Sequence, residues 1–189
     1  TERANEAVQQ QQDRKRQTET GVREVRRALR AAQRQQALGA QQAQLALQGQ
    51  QALLAQQALQ AQLAQQAQRG RQARQEAGQL LQLIHQLREQ AVVEGREYGV
   101  RLAGAEYQVF RLEPQGWRSA GSVHALPDGL HMRLEQEGQR LSLDGAIAAP
   151  QLLMLSSDEI SQFVLSFVSV EQSWLSIVSD GIGEPLIDG

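Results

Sequence analysis

Serine, histidine and aspartate are the residue types in this chain that could carry out catalysis or bind a metal ion. Serine is frequent between Ser156 and Ser179, but there is no G-x-S-x-G nucleophile motif, and neither His124 nor His131 lies in a catalytic motif. His85 has no second histidine at helical spacing with which to bind a metal. The chain has no cysteine, which excludes disulfides, thiolate metal sites and cysteine nucleophiles. We therefore predict a protein that is not an enzyme and has neither a catalytic site, a metal nor another cofactor.

Four Asp-Gly pairs are a second candidate for metal chemistry, because aspartate is a preferred calcium ligand. None of them has the spacing of an EF-hand loop, and each follows a run that is typical of a strand. Glycine supplies the positive φ that tight turns need. The pairs therefore predict turns that begin at Asp128, Asp144, Asp180 and Asp188.

The two halves of the 189-residue chain differ in composition. Residues 1–90 have 13 basic and 7 acidic side chains, whereas residues 91–189 have 6 and 14. All seven aromatic residues and all four prolines follow residue 90, and 27 of the 34 glutamines precede residue 91. A globular core needs bulky apolar groups to offset chain entropy. The first half is therefore expected to be helix or disorder, and the second half a globular domain.

Residues 35–68 have no charged side chain and consist only of Gln, Ala, Leu and Gly. Arginines flank this uncharged window on both sides, which is the outline of a membrane span, but 15 of its 34 residues are glutamine. Each unpaired amide in hydrocarbon costs about 2 kcal/mol or more, so the segment is not expected to insert. Three interpretations remain open: a solvated or self-associating helix, a membrane helix whose large apolar positions have become glutamine, and a disordered tract.

A basic run extends from Arg23 to Arg34 and could in principle contact phosphate groups. It contains no aromatic residue, and Glu24 dilutes its charge. A solvated helical face is the favoured interpretation, and no nucleic-acid partner is expected.

A helix over residues 79–94 is predicted by apolar residues at intervals of three to four, and Gly95 provides a stop signal. Its apolar face should cover a sheet, and it consists of Leu80, Leu81, Ile84, Leu87, Ala91 and Val92.

Seven short runs after Gly95 have strand composition and are separated by turn residues. The first two flank residues 103–106, which is a hairpin signal. We predict an α+β fold, with a long N-terminal helix followed by an antiparallel β-sandwich-like domain. The predicted strands are Tyr98–Leu102, Tyr107–Leu112, Leu130–Gln136, Gln139–Leu143, Gln151–Leu155, Phe163–Val170 and Trp174–Val178.

Residues 71–189 resemble the minor pseudopilin H of bacterial type II secretion systems, the GspH/FimT family. The most specific matches are the REYG sequence at 96–99 and the block that follows Pro150. Asp158 replaces a glycine that the family typically has in this block, and Gln162 replaces a proline. The residues that match the family's motifs are Arg96, Glu97, Tyr98, Gly99, Pro150, Ser156, Ser157, Glu159, Phe163, Asp180 and Gly181.

The resemblance also aligns the uncharged window with the family's membrane anchor, and it therefore favours the interpretation of the window as a membrane helix whose large apolar positions have become glutamine. Family members have a leader that ends in glycine, then Phe at mature position 1 and Glu at position 5. Gly39 and Ala40 stand at the equivalent of the processing site, and Gln44 stands at the position of the glutamate. Three segments are expected: a basic Gln-rich segment of unknown role at 1–38, a long helix at 39–94 and the β-rich pseudopilin domain at 95–189.

The resemblance implies a structural protein of a type II secretion system that contributes to the pseudopilus tip and to protein export across the outer membrane. The implied partners are other minor pseudopilins and secreted protein. The implied location is the inner membrane with the globular domain in the periplasm, and methylation belongs to the same family pattern. This chain, with its polar helix, is expected to be soluble. The alternatives are a FimT/FimU-like minor pilin of the type IV pilus and a helical scaffold with a β cap.

Overall fold

The computed structural model describes residues 2–145, 149–170 and 172–189, with side chains from Asn5 onward. One helix, α1 (Glu2–Glu94), precedes a series of short strands. The strands in the described part are β1 (Tyr98–Ala103), β2 (Glu106–Glu113), β3 (Gly116–Ser119), β4 (His124–Ala125), β5 (His131–Gln136), β6 (Gln139–Leu141), β7 (Leu152–Met154), β8 (Phe163–Val168), β9 (Ser173–Ser179) and β10 (Leu186–Asp188).

The chain divides into two units, Thr1–Ala61 and Gln62–Gly189. The described part of the first unit is helix, and all its described side chains are exposed. The uncharged window at 35–68 is helical throughout, so the interpretation as a disordered tract is wrong. Of the helical residues that the structure describes, no stretch combines the length and the apolar character needed to cross a membrane.

The second unit begins with the part of α1 that is packed against the sheets. The buried face continues on one side of the helix over about five turns, because its apolar residues are spaced by four and three in alternation. The predicted members from Leu80 onward are buried except Leu81, which is half-buried, and Val92, which is 45% exposed. Val92 therefore does not belong to the face, which instead begins earlier on the helix. Its buried apolar residues are Ala73, Ala77, Leu80, Ile84, Leu87 and Ala91.

Gly95 ends the helix with a φ of 64°, a conformation in which glycine lacks the strain of other residues. This confirms the predicted stop.

The strands form two antiparallel sheets, which confirms the predicted fold class. The first has the order β3-β2-β1-β7, and β4 pairs with β2 beyond the end of β3. The second has the order β10-β9-β8-β5-β6. β1 and β2 form the predicted hairpin, in which Ala103 pairs with Glu106. Alternate residues of each central strand point into one core shared with α1, and its largest fully buried side chains include Phe163, Phe167, Leu134 and Leu165.

The described residues form ten strands instead of the seven predicted ones. Three of the ten have only two to four residues and carry no alternation that could be detected in the sequence. These are β3, β4 and β10, and His124 lies in β4. Several predicted strands are also shorter at their ends. The Leu130 N–H donates to the Pro127 carbonyl in a turn, and β8 ends at Val168, before the contact of the Ser169 N–H with the Gln172 carbonyl.

Candidate functional site

The helix–sheet junction, defined as the contacts of residues 69–94 of α1 with the sheets, is where the second unit concentrates its polar interactions. Its first cluster lies under β2 and β4. Glu76 interrupts the apolar face of the helix and is 8% exposed, and its Oε2 lies 2.8 Å from His124 Nε2. The ring of His124 lies against that of Tyr107, with 4.7 Å between the ring centroids. The pairing of β4 with β2 places these two rings side by side.

The environment of this cluster changes the pKa of the Tyr107 phenol. Burial raises the pKa of Tyr107 to about 12, and the negative charge of Glu76 acts in the same direction. A buried carboxylate is costly unless it is hydrogen-bonded, and His124 supplies that bond. The cluster therefore joins the helix to the first sheet through one polar contact that requires both partners.

A second cluster lies where α1 ends and β1 begins, at the REYG sequence. The Tyr98 hydroxyl donates to Glu94 Oε2 at 2.6 Å. This bond is the main cause that lowers the pKa of Glu94, while burial, followed by the same bond, raises the pKa of Tyr98. On β2, the strand next to β1, the Arg111 guanidinium donates hydrogen bonds to Glu113 two residues further along, and this contact is the main cause that raises the pKa of Arg111.

The remaining residues of this sequence act through the backbone and a looser ion pair. Arg96 Nη1 lies 3.8 Å from Glu113 Oε1, and the Arg96 N–H donates to the Ala91 carbonyl. The Glu97 carbonyl accepts from the Leu112 N–H at 2.9 Å. The REYG sequence thus forms the bend between helix and sheet.

Gly99 and Pro150, far apart in the sequence, meet in the first sheet. A Cβ atom on Gly99 would lie 2.5 Å from Cγ and 2.6 Å from Cβ of Pro150. No other residue type fits at position 99 unless the proline moves. Gln151, the residue after Pro150, also binds β1. Its Oε1 accepts from the Leu102 N–H at 2.8 Å, and its Nε2 donates to the Leu102 carbonyl at 2.9 Å.

The block after Pro150 forms a tight turn between β7 and β8. The Leu155 N–H donates to the Glu159 carbonyl, and the Asp158 N–H donates to the Leu155 carbonyl. Ser156 and Ser157 lie within this turn. Phe163, at the start of β8, is fully buried in the core.

Arg88 connects this turn to the loop after β9. Its Nε lies 2.8 Å from Asp158 Oδ1 and 3.0 Å from the carbonyl oxygen of the same residue. Its Nη1 and Nη2 donate to the carbonyls of Gly183 and Ile182 at 3.0 and 2.9 Å. One half-buried guanidinium thus holds two loops against the helix.

The loop held by Arg88 begins with the Asp180-Gly181 pair. Asp180 Oδ1 accepts from the N–H groups of Ile182 and Gly183, and these bonds are the main causes that lower the pKa of the carboxyl. The Gly181 carbonyl accepts from the Ile160 N–H at 3.3 Å. Gly129, Gly145 and Gly181 have the positive φ that the predicted turns require. Gly189 also has positive φ, but Asp188 belongs to β10, and no turn that begins at Asp188 is described.

The residues matched to the processing region lie in the first unit. Gly39, Ala40 and Gln44 are exposed helical residues. The structure therefore brings together Gly99 with Pro150, and the turn at 155–159 with the loop at 180–183, whereas the processing-region residues join neither group.

The junction contains residues that sequence inspection did not single out, chiefly Glu76 and Arg88. Glu76 had a detectable signal, because it lies at helical spacing among Ala73, Ala77 and Leu80 and is therefore an acid on a buried face. Arg88 had no detectable signal in the sequence, because its hydrogen-bond partners lie 70 or more residues away.

The described residues contain no group of three or more His, Asp or Glu arranged to hold a metal ion. His85 is half-buried, and its Nε2 has no hydrogen-bond partner among the residues described. His131 is exposed on β5. The junction thus consists of contacts that position helix, sheets and loops.

Comparison with known proteins assigns this architecture to a class. No family model matches the chain. The chain is 37% identical over 127 residues to type II secretion system protein H of Pseudomonas aeruginosa, an alignment that covers 60% of this chain and 74% of the relative. The chain belongs to the family of type II secretion system protein H, which confirms the resemblance seen in its motifs.

Solved structures show the same fold. Two solved structures of the minor pseudopilin EpsH from the type II secretion system of Vibrio cholerae each superpose with a TM-score of 0.55, at 24% and 23% identity. They cover 62% of this chain and 95% and 96% of their own. The solution structure of Escherichia coli GspH gives a TM-score of 0.53 at 15% identity over 62% of this chain and 88% of its own. These neighbours establish a pilin-like fold.

Proposed function

We propose that this chain is a structural minor pseudopilin of a type II secretion system and contributes its β-rich domain to the tip of the pseudopilus. The observation that carries the proposal is the 37% identity to protein H of Pseudomonas aeruginosa over 74% of that relative's length. The contacts of the second unit are consistent with it, because they fix loops and sheets rather than a reacting group. The type IV pilus pilin and the helical scaffold lack an equivalent observation.

The partners that we propose are other minor pseudopilins, with secreted protein as a further partner. The ends of the two sheets supply surfaces for them, because a terminal strand offers unpaired backbone groups to a neighbouring chain. β3 and β7 end the first sheet, and β10 and β6 end the second in the described part. We propose the periplasm as the location of this domain and a non-enzymatic role for the chain.

The segment that aligns with the family's membrane anchor suggests a specific difference between this chain and its family. Gly39 and Ala40 are the proposed equivalents of the processing site, and Gln44 replaces the glutamate that in the family pairs with a neighbour's N-terminal amine. Because an amide is neutral, that charge interaction is lost. We expect the chain not to enter a pseudopilus by the family's normal route.

The first experiment measures assembly directly. The full chain is mixed with the soluble domains of the other minor pseudopilins from the Pseudomonas aeruginosa system, and complexes are sized by light scattering after size exclusion. A stoichiometric mixed complex is the expected result. A chain that remains alone with every partner would contradict the assignment to the tip.

A chimera separates the domain from the anchor. Residues 71–189 are joined to the N-terminal helix of the Pseudomonas aeruginosa relative and expressed in cells that lack that relative. We expect the chimera to restore secretion, and we expect the full chain to be recovered in sheared pseudopili at a lower level than the chimera. Recovery of the full chain in those fibres at the level of the chimera would show that the replacement at Gln44 does not matter.

A further inference from the structure

A cleft of about 550 Å³ lies at one end of the second sheet. Its walls come from the hairpin of β5 and β6, from the end of β8, and from Gly104 in the turn between β1 and β2. Its volume lies in the range of sites that hold small molecules or short peptide segments. None of the contacts of the helix–sheet junction lies in this cleft.

The cleft is basic in a domain that is acidic. Residues 91–189 contain six arginines against fourteen acidic residues. Two of those arginines, Arg133 and Arg140, line the cleft together with His131. Asp144 is the acidic residue of the lining. Glu135 lies opposite Arg140 in the register of β5 and β6, but it does not line the cleft.

The two cleft arginines differ from Arg96 and Arg111 of the same domain in that they have no ion-pair partner among the described residues. Arg96 and Arg111 form ion pairs with Glu113, whereas among the described residues neither Arg133 nor Arg140 has a carboxylate within 4.0 Å. Guanidinium groups bind carboxylates in a planar bidentate geometry and are therefore suited to an acidic ligand.

The cleft also borders a terminal strand. β6 is the last strand of its sheet in the described part, and its three residues are exposed. A terminal strand can accept an extended segment through main-chain hydrogen bonds. Leu141, the last residue of β6, is an apolar side chain of the lining and is 36% exposed.

We propose that this cleft binds an extended acidic segment of a partner protein, which adds to β6 as a further strand. Its backbone pairs with β6, its carboxylates bind Arg133 and Arg140, and its alternate side chains pack near Leu141. The choice of an acidic segment follows from the local excess of positive charge in an acidic domain. The inference relies on the proposed function only for the expectation that the ligand is a protein.

The test uses the full chain and a peptide of eight residues that alternates glutamate and threonine. Binding is followed by the amide chemical shifts of the isotope-labelled chain during titration. We expect shifts confined to β5, β6 and the end of β8. Replacing either cleft arginine by glutamine should weaken binding about fivefold, and R133Q/R140Q together at least about tenfold.

Three controls define the result. Arg118→Gln removes an exposed arginine on β3, outside the cleft, and should change the affinity less than about twofold. A lysine–threonine peptide should not bind, because its charge is opposite. A glutamate–proline peptide should bind weakly, because proline cannot donate to β6.

The proposal is overturned if the double variant binds the acidic peptide as tightly as the unaltered chain, or if the lysine peptide binds equally well. Equal binding of the proline peptide would overturn the addition of a strand. Sedimentation of the chain alone tests the other occupant, since self-association abolished by R133Q/R140Q would assign the cleft to a second copy. None of these results depends on pseudopilus assembly, so they can fail while the proposed function holds.

Discussion

Residues 35–68 and residues 73–91 belong to the same helix and differ in the spacing of their small and apolar side chains. In the first stretch, alanine occupies every third position from Ala37 to Ala67, with Gly49 as the one exception. Three residues advance an α-helix by about 300°, so this line of small residues rotates by about 60° at each repeat. It circles the helix in about 18 residues and defines no face. Every side chain of the stretch is exposed.

In the second stretch the buried residues recur at intervals of four and three, which average close to the helical period. The face therefore stays on one side from Ala73 to Ala91, where the sheets cover it. Both stretches are rich in good helix formers. Propensity accounts for helix in both, and spacing determines which stretch can be packed against a sheet.

The largest difference in the free energy of unfolding should appear when an aliphatic side chain is truncated to alanine in each of the two stretches. Ile84 is fully buried, and Ile84→Ala should lower the free energy of unfolding by about 3 kcal/mol through lost burial and a cavity. Leu54 is 60% exposed, and Leu54→Ala should change it by less than about 0.5 kcal/mol. Urea unfolding followed by tryptophan fluorescence measures both. Equal effects would mean that the first stretch is packed in solution.

The next effect is a loss of stability at high pH that originates where the helix meets β2. The pKa of Tyr107 is about 12 in the folded chain and about 10 when unfolded. Between these values the unfolded state has lost the proton and the folded state retains it, so stability falls as pH rises. The expected loss from pH 10 to 12 is about 2 to 3 kcal/mol.

The measurement is simplified because the chain has only two tyrosines. In a Tyr98→Phe background, the ultraviolet absorbance of tyrosinate reports Tyr107 alone, and urea unfolding at several pH values gives the slope. Tyr107→Phe should abolish the part of the slope that this phenol contributes. Titration of Tyr107 near pH 10 in the folded chain would show that the ring is not buried as described.

A third comparison uses one glycine from each context. Gly99→Ala should cost about 2 kcal/mol, because the new Cβ collides with the ring of Pro150. Gly49 has open space around its Cβ position, and Gly49→Ala should favour the helix by up to about 1 kcal/mol. Thermal unfolding measures the first variant, and circular dichroism measures the helicity of the second. Pro150→Gly should restore tolerance of alanine at position 99, and a lack of rescue would refute the steric explanation.

Sequence inspection predicted the parts of the fold that depend on local signals. The packed helix, its stop at Gly95 and the hairpin of β1 and β2 follow from periodicity and turn residues, and the structure has all three. The two-residue strand β4 has no period to detect. Val92 was assigned to the buried face by spacing alone, although the sheets do not extend to cover it.

The polar contacts of the junction were beyond local reasoning for a different reason. Glu76 meets His124 across 48 residues, and Arg88 meets Gly183 across 95. Only the packing of helix on sheets determines such pairs. The motif comparison did identify Asp158 as unusual, and the structure gives the physical reason, because its φ is 70°, in the region that glycine favours.

The smallest expected effect tests that residue. Asp158→Gly removes backbone strain of about 1 kcal/mol. It also removes the ion pair with Arg88, which contributes less than about 1 kcal/mol because the Asp158 side chain is 64% exposed. The two changes oppose each other, so the free energy of unfolding should shift by less than about 1 kcal/mol. Arg88 retains its bonds to the carbonyls of Ile182 and Gly183 in this variant.

Asp158→Ala separates the two contributions, because it removes the ion pair and keeps the positive φ. It should be less stable than Asp158→Gly by about 1 kcal/mol. Urea unfolding of the two variants side by side measures this difference. If alanine is as stable as glycine at this position, backbone strain is absent and the family's glycine must have another cause. If both variants are less stable than the unaltered chain by more than about 2 kcal/mol, Arg88 holds the turn mainly through the carboxylate, and the last turns of the helix rely on charge as well as on apolar spacing.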